Sequence, residues 1–206
     1  MKHYDISRPI HTGMPTWPGD TAADFRLVAT IPQGSAVNVG RLLLSVHTGT
    51  HGDAPFHYNQ AGAKINDVPV ETYVGPARVV DVRGHATITT ALLAAHDFTR
   101  TPRVLFKSDT WTDPTRFPTD WPLMPAAVPA WLGARGVKLV GMDVPSVDQL
   151  TSNGLPIHHA LDAVGIVILE NLDLHAVPPG VYELIALPLK IKDGDGSPIR
   201  AILRTV

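Results

Sequence analysis

The sequence predicts a strand-dominated α/β domain with a few short helices packed on its sheets. Three observations carry this reading. Short runs rich in β-branched and apolar residues recur along the chain, and only three segments have helical character. Nineteen prolines in 206 residues interrupt any long helix or continuous central strand. The length suits a single domain spanning 1–206, because single cores stop growing at roughly 250–300 residues.

Taken in order, the segment from Ile6 to Asp20 is turn-rich, with Ser7-Arg8-Pro9, Gly13-Met14-Pro15 and Trp17-Pro18-Gly19-Asp20, and is expected as a surface loop of functional character. Phe25–Ala29 and Asn38–Val46 read as strands, the second ending just before a group of histidines. Ala77–Val82 is a strand rich in β-branched residues. Ile88–His96 has the spacing of a short helix, with Thr87 or Thr89 as its cap. Arg103–Lys107 is a strand. Ala126–Arg135 is helical, with Pro125 suited to the first turn and Gly136 to the C-terminal cap. Val137–Asp143 is a buried strand, His158–Ala163 a short helix and Ile166–Glu170 another strand. Tyr182–Leu187 and Ile199–Arg204 close the chain as strands, with Asp193–Pro198 expected as a tight polar hairpin turn between them.

Composition narrows the function. Hydrophobic residues are 44% and charged residues 17% of the chain, an ordinary globular balance. The formal charge of −2, with no basic run, gives no support for nucleic-acid binding. No stretch is long enough to cross a bilayer and the N-terminus lacks the apolar core of a signal peptide, so no membrane partner and a cytoplasmic location are expected. There is no cysteine, so a bound metal must be held by His, Asp and Glu.

Ten histidines are many for this length, and three of them fall with an aspartate inside eleven residues: His47, His51, Asp53 and His57. Imidazole and carboxylate donors suit Zn2+. Glycines at 49 and 52 and a proline at 55 exclude a regular helix here. A strand ending in a Gly-containing loop lets His47, His51 and Asp53 converge, and the two oxygens of Asp53 suit a bridge between two metals. Further donors are sought in Pro156–Ala160 and at Glu170, which ends an apolar run and needs its charge paired, bound to metal or in water. His57 suits proton transfer near neutral pH, with a further ligand or an orienting role as alternatives. Trp17 offers a flat face to an aryl ring, or simply packs beneath the proline-rich loop. His3, His11, His85, His96 and His175 stand alone and are expected as surface or core residues.

The pattern His-x-Gly-Thr-His-x-Asp-x-Pro-x-His, complete from His47 to His57, resembles the metal-dependent cyclase-like hydrolases and, among them, the bacterial kynurenine formamidases. The likeness extends to Asp5–Ile10, Gly13–Asp20, Val37–Gly40, Ile168–Leu172 and Tyr182–Leu189. The resemblance implies a swivelling β/β/α-type fold and a homodimer with two zinc ions per subunit. It implies hydrolysis of N-formyl-L-kynurenine to kynurenine and formate. His47, His51 and Asp53 would be ligands with Asp53 bridging, His158 and Glu170 would complete the set, His57 would be the acid/base, and Trp17 would face the substrate. Of the adjacent His158 and His159, the family's twelve-residue spacing to Glu170 favours His158, with His159 behind it.

Two other readings compete. A sister hydrolase on the same scaffold would open a cyclic amide such as isatin. A non-catalytic zinc module would use closed, often thiolate, coordination, which a cysteine-free donor set does not match. The same donors also accept Mn2+ or Co2+.

Overall fold

Alternate residues of the central strands enter two different cores, and this sets the architecture. The computed structural model describes all residues, Met1–Val206. The strands are β1 (His3–Asp5), β2 (Asp24–Ala29), β3 (Val39–Leu43), β4 (His51–Asp53), β5 (Val74–Asp81), β6 (Arg103–Lys107), β7 (Leu139–Met142), β8 (Val167–Glu170), β9 (Gly180–Ile185), β10 (Gly196–Pro198) and β11 (Ile202–Thr205). The helices are α1 (Thr90–Leu93), α2 (Ala127–Gly133) and α3 (Pro156–Asp162). Val79, Leu105, Leu139 and Leu169 point into one core, while Val80, Val104, Phe106, Val140 and Ile168 point into the other. A strand covered on both faces reads as a continuous apolar run, which is how β6, β7 and β8 appear in the sequence.

Nine strands form one mixed sheet in the order β1-β11-β9-β5-β6-β7-β8-β4-β10, and β2 pairs with β3 as a separate hairpin. The pairings from β5 to β8 are parallel and the others antiparallel. The three helices lie on one side, supplying Leu93, Val128, Leu132, Ile157 and Leu161 to the second core. The strand-dominated α/β class expected from the sequence is observed.

Chain reach requires this sheet to curl. Pro198 ends β10 at one edge, and four residues later Ile202 starts β11, seven strand positions away. Four residues span at most about 14 Å. Seven spacings in a flat sheet span about 34 Å. The edges must therefore bend toward each other.

Several expectations need correction. Asp193–Pro198 is not a tight hairpin turn: β9 and β11 do pair, but the chain between them crosses to the far edge and adds β10 beside β4. The strand expected over Asn38–Val46 stops at Leu43, and the histidine motif, expected as a loop, contains β4. Ile88–His96 shortens to α1, and of the two proposed caps it is the Thr89 hydroxyl that accepts from Leu92 N–H. Helix α3 starts at Pro156 rather than His158, and β1 was not anticipated. These misplaced pieces are short, so pairing with distant strands outweighs their local preference.

Candidate active site

Strand register brings the first three donors together. In β4, His51 and Asp53 are two residues apart and share a face. His51 lies directly opposite Glu170 of β8, so Glu170 projects on that same face. This face lies on the helix side of the sheet, at the C-terminal end of a parallel strand, where open α/β sheets place their ligand sites. His51, Asp53 and Glu170 are all buried.

His47 enters from the loop before β4. That loop turns at Gly49, whose φ of +66° is a left-handed conformation that glycine adopts without strain. Gly52, expected as a second turn glycine, is instead a strand residue squeezed between Ile199 and Leu169. The loop is fastened to the end of β8: Thr50 Oγ1 donates to Asn171 O at 2.7 Å, and Asn171 Nδ2 donates to Gly49 O at 3.0 Å. His57 follows in the short 3-10 turn Pro55–His57.

His158 comes from the first turn of α3. Asp148 receives the backbone N–H groups of Ile157 and His158, each at 3.1 Å, and also lies 2.7 Å from His158 Nδ1. One carboxylate thus satisfies the helix's free N–H groups and sets the ring orientation, leaving Nε2 to face the cluster. Likewise His51 Nδ1 lies 2.8 Å from Gly49 O, which turns its Nε2 inward. His159 is exposed, so His158 is the residue that joins the cluster.

The resulting distances are short. His47 Nδ1 lies 2.9 Å from Asp53 Oδ1, and His51 Nε2 lies 3.4 Å from Asp53 and 3.5 Å from Glu170. His158 Nε2 lies 3.6 Å from Asp53 Oδ2 and 3.7 Å from Glu170 Oε1. Asp53 Oδ2 is buried without a hydrogen-bond partner, a costly state for a carboxylate oxygen unless a cation satisfies it. Two donor triads, His47/His51/Asp53 and Asp53/His158/Glu170, share Asp53, with the donor atoms of each within 4.8 Å of one another. The set fits divalent cations that prefer imidazole and carboxylate.

Charge complementarity is strong. Burial opposes the positive charge on His47, but hydrogen bonds to Asp195 and Asp53 outweigh it and raise its pKa to about 9. For His51 burial is outweighed by Asp53 and Glu170, and for His158 by Asp148 and Asp53, raising both to about 10. Burial opposes ionisation of Asp53, yet the three histidines hold it well below the usual carboxylate range. His57 differs: burial dominates and pushes its pKa down.

A cavity of about 180 Å³ opens on this cluster, lined by Trp17, His47, His51, His57, His158 and Glu170 among others. Trp17 meets Phe117 edge to face, ring centroids 5.7 Å apart, and the two rings in contact line the cavity together. His3, His11, His85 and His175 are exposed and His96 is half-buried beside Phe98, and none of them joins the donor groups or lines the cavity.

Sequence reasoning missed three contributors. Phe117 lies in the irregular segment before Trp121, Asp148 in a short polar stretch, and Asp195 in the segment taken for a turn. Asp195 Oδ2 lies 3.0 Å from His47 Nε2 and 3.4 Å from His57 Nδ1. Single aspartates beside glycine or serine look like turn formers, so only the sheet's curvature reveals Asp195.

Comparison with known proteins adds to this geometry. The sequence profile of the family described as "Putative cyclase" matches residues 4–149. The chain is 43% identical to a kynurenine formamidase of Bacillus cytotoxicus over 200 residues, covering 97% of this chain and 96% of that one. It is 41% identical to a kynurenine formamidase of Bacillus anthracis over 205 residues, covering 100% and 98%. Among solved structures it resembles a "Potential Metal-Dependent Hydrolase With Cyclase Activity" with a TM-score of 0.84 and 30% identity, covering 98% of this chain and 96% of that one. It also resembles isatin hydrolase A from Labrenzia aggregata with a TM-score of 0.81 and 26% identity, covering 98% and 93%.

Proposed function

The chain belongs to the putative cyclase family, and from that premise we propose that it hydrolyses N-formyl-L-kynurenine to L-kynurenine and formate with the help of two zinc ions. The observation that carries this reading is the unpartnered Asp53 Oδ2 inside a ring of donors, open to a cavity with aromatic walls. His47, His51, Asp53, His158 and Glu170 would hold the metals, with Asp53 shared between them. A zinc ion held there would lower the pKa of bound water toward neutrality and polarise a carbonyl.

The remaining chemistry belongs to the chain itself. Trp17 and Phe117 bind and orient the aryl ring, which sets the formyl group toward the donor cluster. His57, its pKa lowered by burial, is neutral at pH 7 and accepts a proton from the attacking water. It passes that proton to the arylamine nitrogen as the C–N bond breaks. Asp148 and Gly49 O fix the rings of His158 and His51 throughout.

Partners follow from the same reading: a small-molecule substrate, no nucleic acid and a second copy of the chain. The β2–β3 hairpin supports the homodimer. Phe25, Leu27 and Leu42 are each about half exposed on it, and two strands alone seldom hold together in water. No helix is long and apolar enough to cross a membrane.

A second reading, opening of isatin, is favoured by the 26% identical isatin hydrolase of the same fold. Parallel assays separate the two. We expect kcat/KM for N-formylkynurenine to exceed that for isatin by at least about tenfold, or about 1.4 kcal/mol. The reverse preference would replace the first reading with the second.

A further inference from the structure

We propose that Asp195 is a positioning residue that holds His57 in register for proton transfer, an inference that rests on the formamidase reading. Asp195 is not among the residues lining the cavity, so it acts through another group. Its Oδ2 lies 3.4 Å from His57 Nδ1 and 3.0 Å from His47 Nε2. The two rings are tilted by 36° with centroids 4.0 Å apart, and this one oxygen spans them.

The place of Asp195 is built, not incidental. Its carbonyl accepts from Ala54 N–H at 2.9 Å, one residue past β4. The next residue, Gly196, pairs with Asp53 across the sheet. A Cβ on Gly196 would stand 2.7 Å from His47 Cε1, so the imidazole packs directly on this backbone. The excursion that adds β10 to the far edge therefore delivers one carboxylate behind both rings. Apo contacts of about 3.4 Å commonly tighten when substrate binds.

The consequence is chemical. Drawing Nδ1 of His57, 3.4 Å away, onto Asp195 leaves Nε2 as the nitrogen free to exchange a proton with the substrate. Water adds its oxygen to the formyl carbon and gives one proton to Nε2. The C–N electron pair then moves to nitrogen, which takes that proton from Nε2 and leaves as the arylamine. The other product is formic acid, which ionises in water. An acyl derivative whose leaving group needs no proton, such as an aryl formate ester that expels a phenolate, bypasses the second transfer.

The test compares Asp195→Asn and Asp195→Glu with the wild type, each loaded with zinc, on formanilides of graded leaving ability and on p-nitrophenyl formate. For Asp195→Asn we expect kcat on unactivated formanilide to fall by about 10²-fold or more, with less than about tenfold loss on the ester. At saturating zinc the metal content should match that of the wild type, although zinc affinity falls because Asp195 also supports His47, and Asp195→Glu should recover part of the amide activity. An equal loss on amide and ester, or no loss on either, would overturn the inference. Loss of zinc in Asp195→Asn with Asp195→Glu retaining it would instead make Asp195 a ligand and would also overturn it. If Asp195→Asn fails to fold, the leaving-group profile of Asp195→Glu decides by the same criterion. Wild-type protein inactive on every formanilide would refute the formamidase reading itself, an outcome distinct from these.

Discussion

At the scale of single residues the site is a charge network prepared for a cation. Three histidines with pKa values raised to about 9, 10 and 10 carry protons at neutral pH, and they hold Asp53 between them well below the usual carboxylate range. A metal binds only neutral imidazole, so uptake must displace these protons. Raised histidine pKa values therefore make metal affinity climb as pH rises from 6 toward 9. Calorimetry of Zn2+ binding at pH 7, in buffers of different ionisation enthalpy, is expected to show a net release of protons; net uptake would contradict the assignment of these rings as ligands. Trp17 belongs to the same scale. Trp17→Ala is expected to raise KM for N-formylkynurenine about three- to tenfold, the range of one aromatic contact. Its zinc content should stay unchanged, and metal loss or unfolding would reassign Trp17 to packing.

Among the elements, α3 shows how local structure and chemistry depend on one side chain. Asp148 both receives the helix's first N–H groups and orients His158, and it is almost fully buried. Asp148→Ala is expected to cost about 1–3 kcal/mol of stability. It should also weaken zinc binding by about 10–100-fold. Urea unfolding and a competition assay for zinc check the two effects; a loss of stability with full zinc affinity would separate the cap from the site. What was legible in the sequence follows from the same distinction. His47, His51, Asp53 and His57 were visible because they crowd eleven residues, and Glu170 because it closes an apolar run. The strands β6, β7 and β8 were visible because burial on both faces writes a continuous apolar segment. Asp148 and β10 were not, since a lone aspartate and a Gly-Ser-Pro tripeptide carry turn propensity until a distant strand pairs with them.

For the whole molecule, the β4–β8 register and α3 gather the donors at 47–57, 158 and 170, and the curl of the sheet lets the segment carrying Asp195 reach them. No local pattern encodes that closure; it follows from connection length, because β10 and β11 are joined by too few residues for a flat sheet. The other global feature is the β2–β3 hairpin with Phe25, Leu27 and Leu42 in solvent. Light scattering on an eluting column is expected to give the mass of a dimer. Replacing Leu27 and Leu42 together by aspartate is expected to yield a monomer, since two charges on an apolar contact each lack a partner. A wild-type monomer at micromolar concentration would remove the hairpin as an interface.

The most direct test of the central claim is metal content measured alongside N-formylkynurenine turnover, before and after chelation, on wild type and Asp53→Asn. Two zinc ions per chain are expected, with activity that disappears on chelation and returns with added zinc. Asp53→Asn is expected to lose much of both metal and activity. Full turnover by metal-free protein, or unchanged metal stoichiometry in Asp53→Asn, would contradict that claim.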